Sequence, residues 1–315
     1  MAGTSANMTN CSFDMVDKTM RYMELIIYVP IFSAGLFLNG TALLVFCFFL
    51  RKWTESTIYM TSLALMDMIL LLPLPFKMHA TNHKWSANKQ QLCSVLEGLY
   101  FVAIYGSIYT IMCIAGDRWV AICHPFRAKQ IRSVKAALGT CIVVWVLMIT
   151  VVFFIMNRVG RDTQQDFHCF HEFSKDGWRP GVIIPLQVFG FLVPALMVIF
   201  FSVHTIYALQ KSGRHSPQSM ACTKIIYSSL SAFLVPFTPS HFAIFLQFLV
   251  HQGVIENCSA LTSISLFLQV TMCLSNITCC LDALCYYFIA KEVRNTRNNI
   301  RMSLTRRPTF STSEV

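Results

Sequence analysis

Two aspartates, Asp67 and Asp282, and one lysine, Lys77, stand inside long apolar runs of this 315-residue sequence. Ionisable groups so placed are costly, and by default they mark a ligand, ion or proton site. Asp67 and Asp282 would repel in a shared interior unless a cation, a proton or hydrogen-bond donors lay between them. Asn39, Ser107 and Thr278 can supply oxygen ligands for a sodium ion or a water cluster; the plainer alternative is a protonated, hydrogen-bonded pair. Lys77 needs a partner, either Glu97 or the phosphate or carboxylate of a ligand; failing both, its stem would snorkel toward water. Asp117-Arg118-Trp119 opens a string that runs through His124-Pro125. There Asp117 can hold Arg118 at rest, and a released guanidinium can hydrogen-bond backbone carbonyls of an inserted partner helix.

The elements that position these groups follow from composition. Apolar residues make up 55% of the chain and charged residues 13%, about half the charged share of an average soluble protein. Such a chain cannot clothe a globular surface in polar side chains, so much of its exterior faces lipid. That excludes a cytosolic enzyme, a disordered regulator and a secreted disulfide scaffold. A bilayer core needs roughly 20 mainly apolar residues per helix. Seven stretches qualify: Leu25–Leu50, Ser56–Met78, Leu92–Cys123, Ala136–Met156, Val182–Tyr207, Ile225–Val250 and Leu261–Ile289. The fold expected is an all-α membrane protein, a seven-transmembrane helix bundle over residues 22–290. A tail (1–21) precedes it, and a short amphipathic eighth helix (291–302) and a disordered tail (303–315) follow.

Basic residues orient the bundle. With the amino terminus outside, the cytoplasmic segments hold 16 of the 25 Lys and Arg against four acids, while the outer half balances at nine and nine. The net charge of +10 therefore belongs to an anionic inner leaflet and its partners, and nucleic acid is not one of them. Sequons at Asn7 and Asn10 lie in the outer tail and suit glycosylation there. Of 13 cysteines, Cys11, Cys93, Cys169 and Cys258 fall outside, where oxidation is available and three pairings are open.

These markers resemble a family. Asn39 in Leu38-Asn39-Gly40, Leu63-Ala64-Leu65-Met66-Asp67, Cys93, the Asp117–Pro125 string, Trp145, Pro194, Pro239 and Asp282-Ala283-Leu284-Cys285-Tyr286 sit in order on seven spans. The chain is similar to rhodopsin-like (class A) G-protein-coupled receptors along nearly all of residues 20–300. Within that family it resembles the branch of nucleotide and lysophospholipid receptors, lysophosphatidylinositol receptors included. Leu74-Pro75-Phe76-Lys77-Met78, Tyr105-Gly106-Ser107, Val188-Phe189-Gly190-Phe191-Leu192 and Cys279-Cys280-Leu281-Asp282 carry that closer likeness.

The resemblance implies a plasma-membrane receptor with an extracellular amino terminus, no catalytic residues and no cofactor beyond a structural sodium ion. It implies the pairings Cys93–Cys169 and Cys11–Cys258. The ligand would sit in the outer third, with Lys77 and Glu97 beside a long apolar cavity lined by Tyr100, Phe101, Tyr105, Phe189, Phe237 and Met272. His171, His241 and Gln269 would add hydrogen bonds. A cation beside such a cavity suits an anionic lysolipid; a small carboxylate or nucleotide is the alternative. Asp117, Arg118, Trp119, Pro125, Phe126 and Tyr286 would serve activation and contact with a heterotrimeric G protein, the twelve/thirteen class that leads to Rho. A Ser/Thr-rich tail suits arrestin, and the terminal Val315 a PDZ groove.

Four departures matter. Phe237 replaces the usual Trp of the activation switch and Ala283 the usual Pro late in the seventh span. Ser202 replaces a Tyr that would bond Tyr286, and Ser219 an acid that would face Arg118, so the lock between the third and sixth spans is expected to be absent and basal activity appreciable. Two rivals fare worse. An intramembrane enzyme could use His79-Ala80-Thr81-Asn82-His83, which has metal-ligand spacing but no third ligand or general base nearby. A retinal-type pump or channel would want a lysine midway along the seventh span, and Lys291 lies past its end.

Overall fold

A computed structural model of the chain describes residues 11–49, 53–159, 166–167, 169–170, 175–211 and 217–283. The elements are α1 (Asp14–Leu44), α2 (Glu55–Leu71), α3 (Leu74–Asn82), β1 (Trp85–Ser86), α4 (Gln90–Cys123), α5 (Pro125–Ile131), α6 (Val134–Val159), β2 (Asp166–Phe167), α7 (Pro180–Gln187), α8 (Val193–Lys211), α9 (Pro217–His251) and α10 (Cys258–Ser275). Seven spans are long and apolar enough to cross a membrane. The second span is α2 plus α3, the fifth α7 plus α8, and the seventh runs on past α10 to Ala283. Leu138, Ile142, Val146 and Phe153 on α6 and Leu196 and Val203 on α8 stay exposed, as a lipid-facing surface requires.

Consecutive spans pack on one another from the first to the fourth and from the fifth to the seventh, the seventh packs on the first, and α4 links the two groups, touching the second, fourth, fifth and sixth. The buried centre of α4 includes Tyr100, Ala103, Ser107, Ile111 and Ile114. Trp145 on α6 donates its indole N–H to Ser62 on α2 at 2.9 Å. At one end β1 pairs with β2, Trp85 opposite Phe167. The same end carries both disulfides, Cys93–Cys169 (Cα–Cα 5.8 Å) and Cys11–Cys258 (5.5 Å). Arg118 marks the opposite end.

Helix boundaries depart from the apolar runs in three places. The first span begins at Asp14, inside the stretch read from sequence as a tail, because Val16, Met20 and Glu24 bury one face of that early helix. The second span breaks at Leu72–Pro73, where Pro73 and Pro75 cannot donate to the ladder. The seventh lacks the usual Pro but breaks at Asn276–Ile277, whose N–H groups bond carbonyls three residues back, Cys273 at 3.3 Å and Leu274 at 3.0 Å. Asn276 also donates its side-chain amide to the Met272 carbonyl at 2.8 Å. Side-chain competition for backbone groups thus does there what proline does elsewhere.

Candidate functional site

The break at Pro73 sets α3 so that Lys77 enters the bundle, where it is only 7% exposed. Its ammonium faces three rings, with centroids at 4.8 Å (Tyr100), 5.3 Å (Tyr28) and 5.7 Å (Phe170). A ring face holds a desolvated cation by about 2 kcal/mol or more, against several kcal/mol to bury the ion, so the rings do not by themselves replace a counter-ion. Two buried carboxylates, Glu24 and Glu97, lie near enough for their fields to reach it. Glu97 accepts the backbone N–H of Phe170 at 3.0 Å, and Glu24 accepts the Thr81 hydroxyl. Tyr28 donates to the Cys273 sulfur at 3.1 Å, and the Tyr100 hydroxyl takes the Asn276 amide at 3.3 Å.

Phe170 adopts φ 70°, rare for a bulky residue. The Cys93–Cys169 bond on one side and the Glu97 hydrogen bond on its own N–H hold it there, so the loop presents its ring to Lys77. Tyr28, Glu24 and Phe170 were not foreseen from sequence. Glu24 and Tyr28 are one helical turn apart, where the charged start of α1 gives way to its apolar run, which is the signal that could have found the first two. His171 lies outside the described residues.

Deeper in, Tyr105 and Phe237 are buried, and Phe101 is half-buried, edge-on to Tyr100 at 5.8 Å. His241 stacks on Phe191 at 4.5 Å and meets Tyr105 edge-on at 6.1 Å. Its Nδ1 bonds the side-chain oxygen of Gln187 at 3.0 Å, while the Gln187 amide donates to the His241 carbonyl at 2.8 Å. The proton therefore sits on His241 Nδ1. Met272 and Gln269 are half-buried, Gln269 bonding Ser265 at 3.4 Å. Phe189 is a correction: it is 62% exposed and faces outward. A π-type turn over Val188–Leu192 adds a residue to the helix and shifts its register. Phe191 points inward in its stead, stacked on Phe233 at 6.0 Å, and Phe189 contributes only its carbonyl, to the Tyr109 hydroxyl at 2.8 Å.

Below these rings Asn39, Asp67, Ser107, Thr278 and Asp282 are all fully buried. Asn39 bridges the first and seventh spans, donating to the carbonyls of Gly35 (3.0 Å) and Cys279 (2.9 Å). Thr278 donates to Asp282 at 3.4 Å. Among the described residues, Asn39 Oδ1, Ser107 Oγ and Asp282 Oδ1 have no protein partner. A buried acceptor left so is costly, and a small hard cation with oxygen ligands fits this donor set.

At the far end a capping box between Thr54 and Thr57 starts α2 and presents Glu55 and Ser56. Arg118 donates to Ser56 at 3.1 Å. Asp117 is not held as expected: both its oxygens are taken by Arg132, at 2.7 Å (Nε) and 2.9 Å (Nη2). Successive helical residues do not face each other, so Asp117 turns to the loop beyond α5 instead of to its neighbour. Trp119 packs against Phe201 at 5.2 Å, Pro125 opens α5, and Phe126 is exposed. Arg118 borders a narrow cleft with Ser202, Thr205 and Ser229. Tyr286, the side chain of Ser219, the sequons at Asn7 and Asn10, the amphipathic segment 291–302 and Val315 lie outside the described residues.

Seven spans, the Asp-Arg-Trp string at one end and a loop disulfide on the third span at the other define a seven-helix receptor. The chain matches the family described as 7 transmembrane receptor (rhodopsin family) over residues 38–286, and it belongs to that family. It is 40% identical to G-protein coupled receptor 55 of Homo sapiens over 292 residues, covering 90% of each chain. It is 32% identical to G-protein coupled receptor 35 of Mus musculus, covering 91% of each. With Lysophosphatidic acid receptor 4 of Mus musculus it shares 30% over 91% of this chain and 81% of that one. It is a multi-pass membrane receptor of the lysophospholipid-receptor branch, and its relatives are signalling receptors, not enzymes.

Proposed function

We propose that the protein is a plasma-membrane receptor for an anionic lysolipid of the lysophosphatidylinositol kind. Its amino terminus and disulfide end would face outward, and it would signal through the twelve/thirteen class of G proteins to Rho. The observation that carries the ligand class is the buried Lys77 ammonium, faced by rings while its nearest carboxylates bond other groups. A phosphate entering among Tyr28, Tyr100 and Phe170 would give that cation a direct counter-ion, and the lipid tail would run along Tyr105, Phe191 and Phe237. Lysophosphatidic acid receptors, named for such a ligand, are among the relatives. Arrestin at the Ser/Thr-rich tail and a PDZ domain at Val315 are further partners of this reading. The test is a panel of anionic, zwitterionic and neutral lysolipids on a Rho reporter, with small carboxylates and nucleotides as competitors. A response confined to the last two would overturn it.

The same reading assigns a sodium ion to Asp67, Asp282, Asn39 and Ser107. Raising sodium at constant ionic strength should lower basal nucleotide exchange about threefold, a coupling near 0.7 kcal/mol. Asp67→Asn should abolish that dependence, measured as GTP-analogue uptake by a reconstituted G protein. A sodium response that persists in Asp67→Asn would remove the ion from this cluster.

A further inference from the structure

The Arg118 end holds an arrangement that ligand binding leaves unused. Helix α5 buries none of its residues, and the chain leaves it at Arg132 in an extended conformation. Besides its two bonds to Asp117, the Arg132 guanidinium lies 3.7 Å from Glu55. One side chain therefore ties the loop to the end of α4 and the start of α2. The next residue, Ser133, is exposed, and its hydroxyl accepts the Ala136 N–H at 3.1 Å. Arg127, Lys129 and Arg132 precede it and Lys135 follows.

We propose that Ser133 is a phosphorylation site for a basophilic Ser/Thr kinase, and that its phosphate withdraws Arg132 from Asp117. The flanking cations are what an acidic kinase groove selects. A kinase reads an extended segment; residues 132–133 already lie outside any helix, and α5, with nothing buried, opens at little cost. In the transfer, Ser133 Oγ attacks the γ-phosphorus of ATP. The Oγ–P bond forms, the bond to the ADP oxygen breaks, and the hydroxyl proton passes to the kinase's base. The product carries roughly −1.5 to −2 charges and three acceptor oxygens, one residue from Arg132, against a single charge on Asp117. Forked pairing of guanidinium with phosphate then competes directly with the Asp117 pair. With Arg132 drawn off, α5 loses its tie to the end of α4 and the start of α2, so the loop beside Arg118 no longer holds one position for a G protein, and phosphorylation dampens coupling.

The inference rests on the receptor reading and on this end facing the cytoplasm, where kinase and ATP are found. The test uses the full chain in lipid nanodiscs, treated with ATP and the catalytic domain of protein kinase C. Peptide mass spectrometry should place phosphate on Ser133; Ser133→Asn, which keeps a cap acceptor, should lose it. Phosphorylation should speed amide hydrogen exchange over residues 117–133 and lower G-protein nucleotide exchange about threefold. Unmodified Arg132→Gln should show both changes already, and phosphorylation should add nothing to them. No phosphate at Ser133, unchanged amide exchange, or an equal further loss in Arg132→Gln would overturn the proposal. Phosphate with faster amide exchange in a receptor that moves no nucleotide supports the site and overturns the coupling reading instead.

Discussion

Lys77→Met is expected to raise the concentration of anionic lysolipid for half-maximal response by about 100-fold or more, a loss near 3 kcal/mol. Methionine keeps the length and the apolar stem of the side chain, so the rings of Tyr28, Tyr100 and Phe170 lose a charge and little volume. The variant also separates two roles. If Lys77 chiefly held Glu24 and Glu97 in place, removing it would strand those acids, and the ligand-free receptor would lose stability. If it serves an incoming anion, ligand-free thermal stability should hold or rise, because a buried ion exchanged for an apolar side chain is often neutral or stabilising. The two measurements are a dose response and a melting temperature in detergent, at matched surface expression. Unchanged potency would remove Lys77 from the ligand site; lost potency with a fall in melting temperature would make it structural.

Much of the bundle was legible in the sequence because burial in lipid leaves a strong, one-dimensional signal. Runs near 20 apolar residues located all seven spans, although the second was read as unbroken through Pro73 and Pro75. The early start of the first span was hidden, since Asp14, Asp17, Lys18 and Arg21 dilute its hydropathy although one face is buried. The π-type turn at Val188–Leu192 leaves no mark in residue types, yet it exchanges Phe189 for Phe191 as the inward ring. Phe170 was missed for a related reason. Its place depends on a left-handed backbone fixed by Cys93, through its bond to Cys169, and by Glu97, two constraints that come from α4 and not from its own segment. Asp117 shows where adjacency in sequence misleads: its partner comes from 15 residues on, because a helix turns neighbouring side chains apart.

Cys169→Ser should cost nearly as much signalling as the loss of Lys77. The Cys93–Cys169 bond closes a separation of 76 residues, for which chain entropy alone gives about 4 kcal/mol. Membrane-inserted helices already tether the ends of that loop, so the global effect on stability should be smaller. The local effect is larger. Without the bond, Phe170 keeps its hydrogen bond to Glu97 and its ring contacts with Tyr100 and Lys77 but loses the covalent anchor beside it, and φ 70° costs about 1–3 kcal/mol for such a residue. Relaxation of that backbone takes the Phe170 ring from Lys77 and removes one of the bonds that hold Glu97, which can then turn toward the cation, so an incoming phosphate meets a neutralised site. Potency should fall about 30-fold or more, near 2 kcal/mol, at surface expression corrected by antibody binding. Cys11→Ser with Cys258→Ser is the matched control. That bond joins the start of the first span to the head of α10 and anchors none of the three rings that face Lys77 in the way Cys169 anchors Phe170, so its removal should lower melting temperature while leaving potency within about threefold. Glu97→Gln in the Cys169→Ser background tests the route. If the freed carboxylate is what blocks the cation, Gln should restore part of the lost potency, whereas a receptor that is merely unfolded at that loop would gain nothing from it.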